Sequence, residues 1–147
     1  MDKKFKYHIF PEYNLIVEFW QGEFSFKEII EFKNIEASDP DWKDYYNVLA
    51  DDRLSIKKID FPLNSDDKKD INDLSLSQKF IKKRKSALLT SKPSQVVISE
   101  LLKQHKGPEA LVQIEIFSTV EAALDWLQID LREFNKINTV IEEFSAD

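Results

Sequence analysis

Apolar and polar positions alternate along this chain in two rhythms, period two and period three to four. Phe5, Tyr7 and Ile9 alternate with Lys6, His8 and Phe10, which predicts a first strand. Pro11-Glu12-Tyr13-Asn14 reads as a turn. Leu15 to Trp20 reads as a second strand with Leu15, Val17 and Phe19 on one face, ended by Gly22. The two strands suit an antiparallel hairpin. Ser25-Phe26-Lys27-Glu28 then has the form of a capping box, with Phe24 placed to staple onto Ile29. Phe26, Ile29, Ile30 and Ala37 make the inward face of this first helix, which stops at Asp39-Pro40. Asn47-Val48-Leu49-Ala50 predicts a third, buried strand closed by Asp51-Asp52-Arg53. From Leu54 to Leu63 the pattern dissolves: Ile56, Ile59 and Phe61 can pack, but Lys57, Lys58 and Pro62 oppose regular structure.

The second half repeats the alternation. Ser65-Asp66-Asp67 opens a second helix with Ile71, Leu74, Phe80 and Ile81 inward and the cations Lys82-Lys83-Arg84-Lys85 at its end. Ala87–Leu89 is a short apolar run that suits a strand buried on both faces. Ser91 is placed to cap the next helix, and Pro93 fits its first turn. Val97, Ile98, Leu101, Leu102 and His105 share one face of it, and Gly107-Pro108 stops it. Leu111 to Phe117 alternates as a fifth strand. Ser118-Thr119-Val120-Glu121 reads as a second capping box, with Phe117 stapled onto Ala122 and with Val120, Ala123, Leu124 and Leu127 inward. Asp130 caps a tail helix carrying Leu131, Phe134, Ile137, Ile141 and Phe144 on one stripe. That stripe has to be buried, either on its own sheet or against a second copy in a homodimer.

This order, ββαβαβαβα and a tail helix, predicts an α/β fold. It has a mixed five-stranded sheet, a β-hairpin plus three parallel strands, flanked by helices. Residues 1–129 form the expected domain and 130–147 the C-terminal tail helix.

Composition narrows the chemistry. With only Gly22 and Gly107, the chain has no P-loop, no dinucleotide-binding glycine motif and no nucleophile elbow. The absence of cysteine removes disulfides, thiolate nucleophiles and cysteine-ligated zinc, and two histidines are too few for a three-His site. A net charge of −6 argues against nucleic acid as a partner. No apolar run approaches the ~20 residues of a membrane span, so a cytoplasmic protein without stable membrane insertion is expected.

The segments Asn14-Leu15-Ile16-Val17-Glu18, Asn47-Val48-Leu49-Ala50-Asp51, Lys85-Ser86-Ala87-Leu88-Leu89-Thr90 and Ile116 to Leu127 resemble those of the STAS/SEC14-like, or SpoIIAA-like, domains, particularly the small stand-alone bacterial versions of the Bacteroidetes group. The resemblance spans about residues 5–128 and implies the SpoIIAA-like fold. Members of that family include anti-sigma-factor antagonists phosphorylated at an Asp-Ser-Ser or Asp-Ser-Thr motif followed by Gly. Here the corresponding loop is Asp51-Asp52-Arg53-Leu54-Ser55, without the motif, so phosphorylation is not carried onto Ser55.

In open α/β sheets ligands sit beyond the carboxyl ends of the parallel strands. Asp51, Arg53, Thr90, Ser91 and Ser94 fall there and are the candidate ligand-binding residues. The expected function is a non-catalytic binding or regulatory module for a protein partner or small ligand, with no cofactor and no metal. The alternative is a phosphate- or metal-handling enzyme using Asp51, Asp52 and the helix start at Ser91 and Ser94. Adjacent strand residues point to opposite faces, which weighs against a shared ion at the two aspartates. His105 most simply offsets its helix dipole.

Overall fold

A computed structural model describes residues 2–58, 65–66, 68–69, 83–106 and 112–146. Five strands, β1 (Lys4–Phe10), β2 (Leu15–Phe24), β3 (Asn47–Lys57), β4 (Arg84–Leu89) and β5 (Val112–Phe117), form one sheet in chain order. β1 pairs antiparallel with β2, and each later neighbour is parallel. Among the described residues the helices delimited beside them are α1 (Phe26–Ala37), α2 (Pro93–Lys106), α3 (Val120–Trp126) and α4 (Phe134–Ala146). The fold is therefore the expected α/β architecture with a mixed five-stranded sheet and a C-terminal helix. The helix expected from Ser65 lies largely outside the described residues. Its expected end does not, and Arg84 and Lys85 open β4 instead. Among the described residues no helix is long and apolar enough to cross a membrane.

The sheet separates two apolar clusters, which explains why β2 is apolar at every position from Leu15 to Trp20 except Glu18. Ile16, Trp20 and Phe24 join Phe26 and Ile29 of α1 with Val48, Ala50 and Leu88 on one side. Leu15 and Val17 join Leu49, Ala87 and Leu89 with Leu124, Ile137 and Ile141 on the other.

Two strands run further than their patterns suggest. Gly22 does not end β2 but lies within it at φ +97°, where a Cβ would meet the Lys3 backbone at 2.9 Å. A glycine is what lets the strand continue to Phe24. β3 passes through Asp51-Asp52-Arg53 to Lys57, so residues 54–57 are strand. Phe19 pairs with Asp51, but Gln21 pairs with Leu54. One extra residue of β3 is thus accommodated between them as a bulge. Asp52 keeps the face of Val48 and Ala50, and the bulge reverses the alternation after it, so that Ser55 and Lys57 fall on the same, α1 side of the sheet.

The caps follow the predicted chemistry at shifted positions. Ser25 and Glu28 form both bonds of the capping box. At α3 the cap is Thr119, whose Oγ1 accepts from the Ala122 amide at 3.2 Å, rather than Ser118. Phe117 accordingly packs against Trp126, with ring centroids 5.6 Å apart. Ser25→Ala and Thr119→Ala are each expected to lower stability by ~0.5–2 kcal/mol, while Ser118→Ala should stay within ~0.5 kcal/mol. Urea midpoints of the three variants check this order.

The helix faces also differ from expectation. In α1, Ala37 is exposed, Ile30 is half-buried, and Lys33 and Glu36 are buried instead. In α2, Val97 is 56% exposed while Gln95 and Ser99 are buried; the side chains of Leu102 and His105 lie outside the description. In the tail, Leu131 belongs to a short 3-10 turn and is exposed, and Asp130 accepts from the Arg132 amide. Ile137 and Ile141 sit in the second cluster, and Phe144 lies 6.3 Å from the Phe19 ring. The tail stripe is therefore buried on its own sheet.

Candidate functional site

The carboxyl end of β3 brings the expected residues close together but commits most of them internally. Arg53 forms a fork on Asp51, Nε to Oδ1 at 2.8 Å and Nη2 to Oδ2 at 3.0 Å. Asp52 instead meets Lys57 Nζ at 3.2 Å. Burial pushes the Asp52 carboxyl up, against the opposing attraction of Lys57. The two aspartates thus have different cations. Among the described residues, no group of three or more potential metal ligands gathers. Thr90 is buried, and its amide donates to the Phe117 carbonyl. The Ser91 hydroxyl donates to the Arg53 carbonyl at 3.0 Å, so Ser91 does not act as the helix cap.

The cap is Gln95, one turn into α2. Its Oε1 accepts from the Ser91 and Lys92 amides at 2.7 and 3.1 Å. Its Nε2 donates to the Arg53 and Ser55 carbonyls at 3.0 and 3.1 Å. β4 pairs with β3 only as far as Asp51, so these two carbonyls lie beyond the last paired residue. One carboxamide joins the helix start to the strand end with four hydrogen bonds. Gln95→Leu should cost about 1–3 kcal/mol through the orphaned groups. Gln95→Glu should cost at least as much, because it sets a carboxylate against two carbonyls. Denaturant unfolding of both variants reads this out.

Between the bulge and α2 lies a cleft of about 70 Å³ lined by Asp52, Ser55, Ile56 and Lys57 of β3 and by Lys92, Ser94, Gln95, Ile98 and Ser99. At roughly 10–15 Å³ of such space per water, it admits a few waters or a small polar group. Of the five residues expected from sequence, Ser94 lines this cleft, and Asp51, Arg53, Thr90 and Ser91 stand beside it in the supporting bonds just described.

A second polar cluster was not anticipated. Glu18, in the middle of β2, accepts from Trp20 Nε1 at 3.1 Å and from the Lys33 ammonium. Lys33 also meets Glu36 Oε1 at 3.2 Å. Arg84 of β4 is 4% exposed and donates to the Tyr46 carbonyl. Burial raises Glu18, but Lys33 overcomes it and holds that carboxyl down at about 2. Burial and the facing Glu18 push Glu36 well above the usual carboxylate range. The signal was present: Lys33 and Glu36 continue the inward stripe of Phe26 and Ile29, and Glu18 interrupts an otherwise apolar run.

No family model and no curated protein sequence matches the chain. Among solved structures, an uncharacterised protein of the DUF3478 family with a SpoIIAA-like fold, from Shewanella loihica PV-4, matches over 85% of this chain and 93% of its own. The TM-score is 0.55 at 14% sequence identity. Likeness at that identity defines the fold. The chain has a SpoIIAA-like α/β fold, the fold implied by the resemblance of its strand segments.

Proposed function

We propose that this domain is a non-catalytic binding module whose recognition point is the cleft between the β3 bulge and the start of α2. The observation that carries this reading is the commitment of Asp51 to Arg53 and of Asp52 to Lys57 beside a small, preformed opening. The aspartates on which the enzymatic alternative depends are each engaged by a neighbouring cation. The opening has the size of a ligand's tip or of one side chain of a protein partner. Its lining mixes Ile56 and Ile98 with serine hydroxyls and the ammonium of Lys92, which suits a polar group on an apolar stem. The net charge of −6 turns the reading away from nucleic acid.

Titration with magnesium chloride and then with inorganic phosphate, followed by amide NMR, separates the two readings. The binding module predicts that the signals of residues 51–53 stay in place in magnesium. Saturable movement confined to those residues, with phosphate shifting Ser91 and Ser94, would favour the metal- or phosphate-handling enzyme instead.

A further inference from the structure

α1 is held to the sheet in two different ways along its length. Its first half is docked by Phe26 and Ile29 in the apolar cluster, with Phe32 packed beside the rings of Trp20 and Phe24. Beyond Phe32 the inward positions are Lys33 and Glu36, while Ile35 is 58% exposed and Ala37 is exposed. The second half is therefore fastened by ionisable groups.

Those groups are unevenly matched. Glu36 is fully buried, its Oε1 meets Lys33, and its Oε2 has no hydrogen-bond partner. The same Lys33 ammonium is also bonded to Glu18, 2% exposed on β2. The surrounding elements supply the remaining charges. Arg84 of β4 faces both glutamates and Asp44. Asp52 of β3 faces Glu18. Tyr7 of β1 faces Glu36 and donates to Asp39 just past the helix. One ammonium thus bonds two desolvated carboxyl groups, and an ionised carboxylate with an unbonded oxygen is strongly disfavoured there.

We propose that Glu36 is a proton-gated latch: as a neutral acid it holds the C-terminal half of α1 on the sheet, and its ionisation releases that half into water. A neutral Glu36 leaves Lys33 to pair with the ionised Glu18. Loss of the proton sets two carboxylates against the same ammonium, and the opening that relieves this hydrates Glu36 while Phe26 and Ile29 keep the first half docked. The direction follows from linkage. The burial that lifts Glu36 above its unfolded-state value makes the closed form the one favoured at low pH and lost as pH rises through the folded-state value. Glu18, held down, acts oppositely and loses its contribution only as pH falls toward about 2.

Amide hydrogen exchange of residues 33–38, corrected for the intrinsic rate and followed from pH 5 to pH 9, tests the latch in the whole protein. Exchange in this half should accelerate by up to about ten-fold per pH unit above the ordinary carboxylate range and level off once Glu36 is ionised in the closed form as well, with residues 26–30 unchanged. Glu36→Gln keeps a neutral hydrogen-bonding group and should hold the protection flat across the range. Flat protection in the unaltered protein, or the same acceleration in E36Q, overturns the proposal. Should E36Q fail to fold, the ¹³C carboxyl resonance of Glu36 decides. A neutral-acid shift that changes together with the exchange supports the latch, and a carboxylate shift in the folded protein at pH 5 overturns it.

Discussion

Replacing Lys33 by methionine is expected to destabilise the domain by about 3–5 kcal/mol at neutral pH, the range for stranding buried charge by removing its partner. Methionine keeps most of the aliphatic stem, so packing changes little and the effect isolates the ammonium. Lys33 is the cation hydrogen-bonded to both Glu18 and Glu36. Without it, Glu18 loses the attraction that holds its carboxyl at about 2. The penalty should therefore shrink as the pH falls, because a protonated carboxyl needs no counter-charge. Urea unfolding at pH 5 and pH 8 measures it: the gap between variant and parent should be wider at pH 8. A gap of equal size at both values would mean that packing, not charge, fixes the position. Replacing Lys33, Glu18 and Glu36 together by apolar residues of similar volume should recover much of the loss, since a well-packed apolar substitute for a buried ionic cluster is often neutral or stabilising.

The second large effect is expected in the tail. Ile137 is fully buried in the cluster that includes Leu15, Val17, Leu49 and Leu124. Ile137→Ala should cost about 2–5 kcal/mol through lost burial and the cavity left behind. Leu131→Ala, on the same predicted stripe but 53% exposed, should stay within ~0.5 kcal/mol. Truncation after Ile129 should abolish cooperative unfolding. Conversion of a folded dimer into a folded monomer by that truncation would instead restore the tail as an interface. Polar contacts agree with the packing: Lys136 pairs with Glu12 at 2.9 Å, and the Tyr13 hydroxyl donates to Glu133.

What was legible in the sequence was local. The run from Leu15 to Trp20, the Ser25 capping box and the α3 stripe of Val120, Ala123, Leu124 and Leu127 all depend on spacing within one element, and the structure has them as predicted. What was not legible depends on partners distant in the chain. Gly22 marks a stop in a local reading, yet its positive φ lets β2 pass close to Lys3. Asp51-Asp52-Arg53 resembles a turn by composition, but β2 extends alongside and pairs it as a bulged strand. Ser91 is a good cap by type, and Gln95 displaces it because the same amide also reaches the β3 carbonyls. The charged network escaped because periodicity treats Lys and Glu as outward-facing. Only their mutual neutralisation across β2 and α1 lets them occupy core positions. Of the five candidate residues, Ser94 lines the cleft and the other four stand in the bonds beside it.

The central claim is that this cleft is where the domain binds. Ser94 stands at its rim, exposed, so Ser94→Trp fills the opening without touching the bonds of Gln95. The most direct test is a native mass spectrum of the 17.3 kDa chain isolated from its own host, beside the same preparation of Ser94→Trp. The account predicts a bound ligand or partner on the parent chain that is missing from the folded variant. The same added mass on both proteins, or a bare chain in both, would contradict it.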